Sequence, residues 1–396
     1  MPLTNIGQQK TPGRPVEITF AAETGTPSDL QEVLLIGHKD ATSGSIAAYE
    51  VTEISNSGDL QAASGEVATK FGAGSELALM VLAAIRANAG QSSLPKLKCV
   101  PLAASDTDFG TADAALTAAA RVKAEFLVSP YDGMDSVLRG KLKDTALLMS
   151  GAQRVENNQY GTVGVAFNRS VTDPSTLDMA DTQFLMLAWL PDTGTPAYSI
   201  AEMAAAFAAR CAQQGVPFNP LDSVTIGGIA APENMDEWPT VGAGLESETA
   251  LNQGWTPLYV KPNEEVAIVR TVTARLSSDG SGNPVVTAYY DLQDFQVLYF
   301  WRKTVFTRFS QPDFKQRKAS AETAREIKSE LIRLATLFED QNMFQAVKQL
   351  AKEFQVERNS SDRHRFDVKT PVNVIPGLHV IATNVEAGTE FDVLTI

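Results

Sequence analysis

The feature that most constrains this chain is a regular alternation of short apolar runs with amphipathic segments over residues 29–232. Val33–His38, Lys96–Leu102, Phe126–Pro130, Thr162–Phe167 and Phe184–Leu190 each carry apolar side chains at consecutive positions. Between them lie Glu76–Asn88, the alanine-rich Thr111–Lys123, Ser136–Ser150 and Ile200–Gln214. In the first of these, Leu77, Met80, Val81, Ala84 and Ile85 fall on one helical face. A strand that is apolar at successive positions has both faces buried, which is the situation of a parallel sheet covered by helices on each side. The order therefore predicts an α/β layer with a mainly parallel sheet. Ser64–Gly74 is rich in turn formers and reads as a loop in this scheme.

From Glu233 the pattern becomes richer in strands: Thr256–Val260, Glu265–Leu276 and Val285–Tyr290. Pro257 and Pro262 confine the first to an edge or a short run. In the second, Val266, Ile268 and Arg270 point one way and Ala267, Val269 and Thr271 the other. Ser277–Pro284 is a run of turn formers and predicts a hairpin tip. Ile327, Leu331, Leu334 and Phe338 then recur at helical spacing, and Phe344, Val347, Leu350 and Phe354 do so again, with a break expected at Asp340–Asn342. Asn359–Asp362 reads as a loop, followed by short alternating runs at Val372–Ile375 and His379–Thr383.

Both ends read as arms. Pro2, Pro12, Gly13 and Pro15 oppose a helix, and Val16–Ala21 alternates like one strand. Phe391–Ile396 alternates in the same way. At 396 residues the chain exceeds one ordinary core. The expected division is an arm at 1–25, an α/β domain at 26–235, an α+β domain at 236–375, and a final strand and arm at 376–396.

Chemistry-bearing patterns are thin. The three histidines, His38, His364 and His379, are far apart and have no metal-ligand spacing. His38 follows an apolar strand and is the best enzyme-like candidate, but a strand-end histidine capping a loop is the commoner explanation. Gly72-Ala-Gly74 lacks the third glycine of a dinucleotide turn, Gly242-Ala-Gly244 has the same defect, and neither a P-loop nor a nucleophile elbow occurs. Asp106 and Asp108 have no further carboxylate at calcium-loop spacing. Catalytic, cofactor and metal sites are therefore not expected. Cys99 and Cys211 form no disulfide framework and suit a reducing cytoplasm. The first fifteen residues have no apolar core of a signal peptide, and Phe184–Leu190 is too short to span a bilayer.

The net charge of −14 argues against nucleic acid as a partner. That charge is unevenly placed: Tyr299–Lys369 holds 15 Lys/Arg against 10 Asp/Glu, and the remainder 18 against 37. A solvated helical face of mixed charge explains the basic segment, and so does a surface that meets an acidic partner. An isolated strand must pair its backbone groups with something, so two strand-like arms point to strand addition between copies. Such contacts need not close, and repeated they build a helical filament.

The segment Leu251–Arg308 carries a more specific signal. Leu251-Asn-Gln-Gly-Trp-Thr-Pro257 leads to a strand through Ile268-Val-Arg270, and Asp291–Arg308 follows with Tyr299-Phe-Trp-Arg302 inside it. This order resembles the C-terminal half of contractile phage tail sheath proteins, closest to the Mu-like sheath family, and continues loosely to Ile396 and back to Asp29. The resemblance implies a structural subunit, not an enzyme, that stacks as hexameric rings around a tail tube in the virion tail after assembly in the host cytoplasm. It implies contraction that drives the tube through the host envelope without fuel. Implied partners are other copies, the tube protein, and baseplate and tail terminator proteins, with no membrane insertion. Val16, Ile18 and Phe20 would form the N-terminal arm strand, and Phe391, Val393 and Leu394 the C-terminal one. Thr256–Val260, or the strand of Val266, Ile268 and Arg270, would supply the receiving sheet. Helices between Ser320 and Phe354, with Lys348 and Lys352 sharing one face, would look toward the tube. The resemblance places "Tyr-x-x-Arg" at a helix entry and gives Arg270, Arg302 and Arg308 structural pairing with a carboxylate such as Asp291 or Asp294. The sheath of a tailocin or other contractile injection device, and more distantly a soluble α/β enzyme, remain open.

Overall fold

The computed structural model describes residues 31–55, 59–89, 95–150, 161–192, 197–215, 218–232, 245–275, 290–362 and 364–379. Among these, β1 (Glu32–His38), β2 (Thr52–Glu53), β3 (Lys96–Leu102), β4 (Phe126–Asp132), β5 (Val163–Asn168), β6 (Leu185–Trp189), β7 (Thr225–Ala230), β8 (Trp255–Val260) and β9 (Glu265–Ile268) form one sheet. Its order is β2-β3-β1-β4-β5-β6-β8-β9-β7. The run from β3 to β8 is parallel, while β2, β9 and β7 are antiparallel to their neighbours. β1 shows why the apolar runs are continuous. Val33 and Leu35 enter the cluster on one face, Leu34 and Ile36 the cluster on the other, and all four are fully buried.

Helices cover both faces. α1 (Leu60–Phe71), α2 (Glu76–Ala87) and α5 (Ile200–Ala212) pack on one; α3 (Asp113–Ala119), α4 (Ser136–Met149) and α6 (Glu246–Asn252) on the other. α5 is buried nearly all round, and its alanines let it press closely against α2 and the sheet. Ser199 and Glu202 close a capping box at its start.

Local readings fail where a tertiary contact outweighs composition. Ser64–Gly74 is mostly helix: Asp59 caps α1, and Ala63, Val67 and Phe71 recur every four residues on its buried face. Gly72, at φ +92°, ends that helix where a Cβ would collide with Asp40. Pro130 does not end β4; the strand passes it at a register shift between Val128 and Asp132, where a missing N–H is tolerated. The expected boundary near residue 235 lies outside the described residues; beyond it, β8 and β9 join the sheet begun at β1.

Beyond the sheet lie α7 (Leu292–Phe309), α8 (Pro312–Lys315), α9 (Ala321–Asp340), α10 (Val347–Leu350) and a hairpin of β10 (Gln355–Arg358) and β11 (Phe366–Lys369). α7 spans two cores: Leu292 and Phe295 join the sheet cluster, Val297 and Trp301 a separate cluster with Leu331, Leu334, Phe338, Phe344 and Phe354. Tyr299–Arg302 therefore sits inside this helix, not at its entry. The second long helix expected through Phe354 is absent from the described residues. Ala346 adopts φ +61°, α10 is four residues long, and Phe344 instead stacks on Phe338 at 5.0 Å. Trp301 packs edge-on against both rings.

Phe338→Ala should cost about 3–5 kcal/mol through the cavity it leaves. Calorimetry should show the loss, and near-ultraviolet circular dichroism should show a weakened Trp301 signal.

Candidate functional site

The carboxyl ends of β1 and β4 are where open parallel sheets place ligands. Here that position is filled by the protein itself. His38 Nδ1 lies 2.7 Å from Glu76 Oε2, and its Nε2 lies 2.5 Å from the Asp106 carbonyl oxygen. Tyr131 also donates to that carbonyl, and Tyr49 donates to the Asp106 carboxylate. The Glu76 hydrogen bond raises the His38 pKa against the opposing effect of burial. His38 ties a strand end to the start of α2 and to the turn at Asp106. Cys99 and Cys211 are fully buried, which pushes both thiols up. Among the described residues no group of three or more His, Cys, Asp or Glu is arranged to hold a metal, and no helix is long and apolar enough to cross a membrane.

Arg270 makes the pairing expected of it. Its guanidinium grips Asp291 through two hydrogen bonds, at 2.8 and 2.9 Å, and lies over the Tyr290 ring. Burial opposes its charge, but the bonds to Asp291 outweigh that and its pKa is raised. Asp291 occupies the N-cap of α7, yet its carboxylate turns to Arg270 and makes no capping bond. Arg308 pairs with Glu330 and Asp313 rather than with Asp291 or Asp294. Arg302 reaches the Ser150 carbonyl at 3.5 Å and lies 5.7 Å from the Tyr299 ring centroid. Around Arg308 an open cavity of about 730 Å³ is lined by Arg317, Arg325 and Arg333 among acidic partners.

Val16, Ile18, Phe20, Phe391, Val393 and Leu394 lie outside the described residues. Val266 and Ile268 are fully buried in β9, which is bonded to β8 on one side and β7 on the other. Its backbone is thus already paired on both sides, the sheet's edge beside it is β7, and the strand stops at Ile268 before Arg270 leaves for Asp291. Lys348 and Lys352 are both exposed, but Lys352 lies in the turn beyond α10, so no continuous helix face joins them.

A different element has free edges. β10 and β11 pair only with each other among the described residues, and Val368 on β11 is 45% exposed. A groove of about 620 Å³ runs between this hairpin and α9, lined by Arg325, Lys328, Arg358, Val356 and Phe366. Sequence reading passed over the hairpin. Its signal was the alternation of Gln355–Arg358 and Phe366–Lys369 about the turn at Asn359–Asp362, masked by the helix-like spacing just before it.

No family model matches the chain, and no curated protein matches it in sequence. Solved structures do match in fold. The sheath tail protein of Listeria innocua is 13% identical with a TM-score of 0.60, over 89% of this chain and 94% of that one. A chain of the six-fold symmetrised baseplate of the anti-feeding prophage is 12% identical at 0.57, over 98% and 99%. A chain of that baseplate in its contracted state is 13% identical at 0.53, over 96% and 98%. The chain thus has the fold of contractile-tail sheath proteins, and the likeness does not single out the Mu-like branch.

At the amino end of the sheet, Glu125 accepts the Glu32 backbone N–H at 2.7 Å, and burial pushes its pKa up to about 7. A carboxyl with a raised folded pKa contributes stability that is complete below the unfolded value, 4.5, and is lost as pH rises through 7. Glu125→Gln should therefore be more stable than the parent above pH 7, by ~1–3 kcal/mol. The advantage should vanish below pH 4.5. Thermal denaturation across that range checks the sign.

Proposed function

We propose that this chain is the structural subunit of a contractile tail sheath. The observation that carries the reading is the fold match to sheath tail proteins over nearly the whole of both chains, joined by a free-edged hairpin beside a basic groove. Copies would stack as hexameric rings around a tail tube, and residues 1–25 and 376–396 would reach neighbouring copies. β10 and β11, rather than β9, would receive those arms. Main-chain hydrogen bonds made there give affinity, and alternate side chains give register. Contraction would be a change between two packed lattices, with no fuel hydrolysed. The likeness to chains of a prophage baseplate supports a second reading in which the same subunit serves a contractile injection device other than a phage tail. In both, baseplate, tube and terminator proteins are the partners, and the virion or particle tail is the location.

Deleting residues 1–20, or residues 386–396, should abolish tube formation and leave a folded subunit. Sedimentation and circular dichroism read the two properties separately, and normal polymerisation of either truncation would remove the arms as lattice links. Replacing Lys348 and Lys352 with Glu should lower the yield of tube-filled sheath more than that of empty sheath. Raised salt should act the same way on the parent, because exposed charge pairs are screened. Equal yields from mutant and parent would count against a tube-facing role for this surface.

A further inference from the structure

Gln31 and His379 are the first and last described residues, and both rest on the first turns of α7. Gln31 is buried and accepts a hydrogen bond from Gln296 Nε2 at 2.7 Å. His379 Nδ1 lies 2.7 Å from Asp222 Oδ2, and its Nε2 lies 3.5 Å from Asp291 Oδ1. Two residues earlier the chain crosses Gln293 so closely that a Cβ on Gly377 would come within 2.6 Å of the Gln293 side chain and of Pro220. Gln293 and Gln296 are three residues apart and share one helical face.

The same place concentrates unmet polar groups. Among the described residues, Asp222 Oδ1, Gln293 Oε1, Asp294 Oδ1, Gln296 Oε1 and His379 Nε2 are buried without a hydrogen-bond partner. Each such group costs stability, and apolar side chains of similar size would make a firmer joint. Polar contacts hold geometry while remaining easier to open than a packed apolar seam. Burial, with Asp291 nearby, pushes the Asp294 pKa up to about 6.

We propose that the start of α7 is a polar junction that couples the chain at Gln31 to the chain at His379, so that loosening one flank loosens the other. A shift at Gly377–His379 acts on Gln293, against which Gly377 packs, and on Asp291, 3.5 Å from His379 Nε2. Any shift of that turn moves Gln293 and Gln296, and Gln296 carries Gln31. The path crosses less than two helical turns and bypasses the sheet. Its mechanical use rests on reading the terminal segments as links between subunits: displacement of one link would then reach the next within a single subunit. The coupling itself does not rest on that reading.

Hydrogen exchange on the unassembled full-length subunit tests it. His379→Ala should speed exchange at Leu292–Gln296 and also at Glu32–Leu34 by about tenfold or more, with β5 and β6 unchanged. Gln296→Leu should do the reverse, speeding exchange at Leu378–His379. Acceleration confined to the mutated flank would overturn the coupling. If His379→Ala speeds exchange everywhere, His379→Gln, which keeps a hydrogen-bonding side chain, is read by the same criterion. Sedimentation of the terminal truncations is a separate readout. Coupled exchange with polymerisation that ignores the truncations would sink the link reading and leave the junction standing.

Discussion

The rest of the structure depends on burial of a parallel sheet on both faces. Once Val33–Ile36, Val163–Phe167 and Leu185–Trp189 are apolar at every position, helices must cover each side, and the connections between strands supply them. α2 and α5 satisfy one face, α3 and α4 the other. This requirement also explains the reach of the sheet into the C-terminal half. β6 would present an unpaired, fully buried edge unless β8 lay beside it, and β8 brings β9 and β7 with it.

α7 joins that sheet to a second core. Its first half packs Leu292 and Phe295 against the sheet, and its second half packs Trp301 into the aromatic cluster of Phe338 and Phe344. One rigid helix thus fixes the hairpin and its basic groove relative to the α/β layer. The Arg270–Asp291 pair pins the start of that helix to the chain leaving β9. Breaking such a partly buried pair would leave a charge without compensation, so the junction tolerates movement better than it tolerates loss of either partner.

At the strand ends where an α/β enzyme would expose reactive groups, His38, Tyr49, Asp106 and Tyr131 spend their hydrogen bonds on one another. Among the described residues, sheet edges lie at β2, at β7 and at the hairpin, and several unmet polar groups gather at the start of α7.

Strands such as Lys96–Leu102 and helices such as Glu76–Ala87 were legible from periodicity, because both depend on which face of a segment is apolar. The pairing of Arg270 with Asp291 was legible through family resemblance, since the turn and strand before it carry a specific order of residues. α1 was not, because its serine and glycine face solvent and its helix is held by three contacts every fourth residue. Nor was the hairpin, where Ala346 turns into the left-handed region and frees Phe344 to stack on Phe338. The sequence by itself determined most strands and helices of the α/β layer and that its sheet is buried on both sides. Only the tertiary structure decided that β9 is interior and β10–β11 has open edges, and that Gln31 and His379 meet on one helix. Edges and meeting points are properties of neighbours distant in the chain, and no local pattern of side chains encodes them.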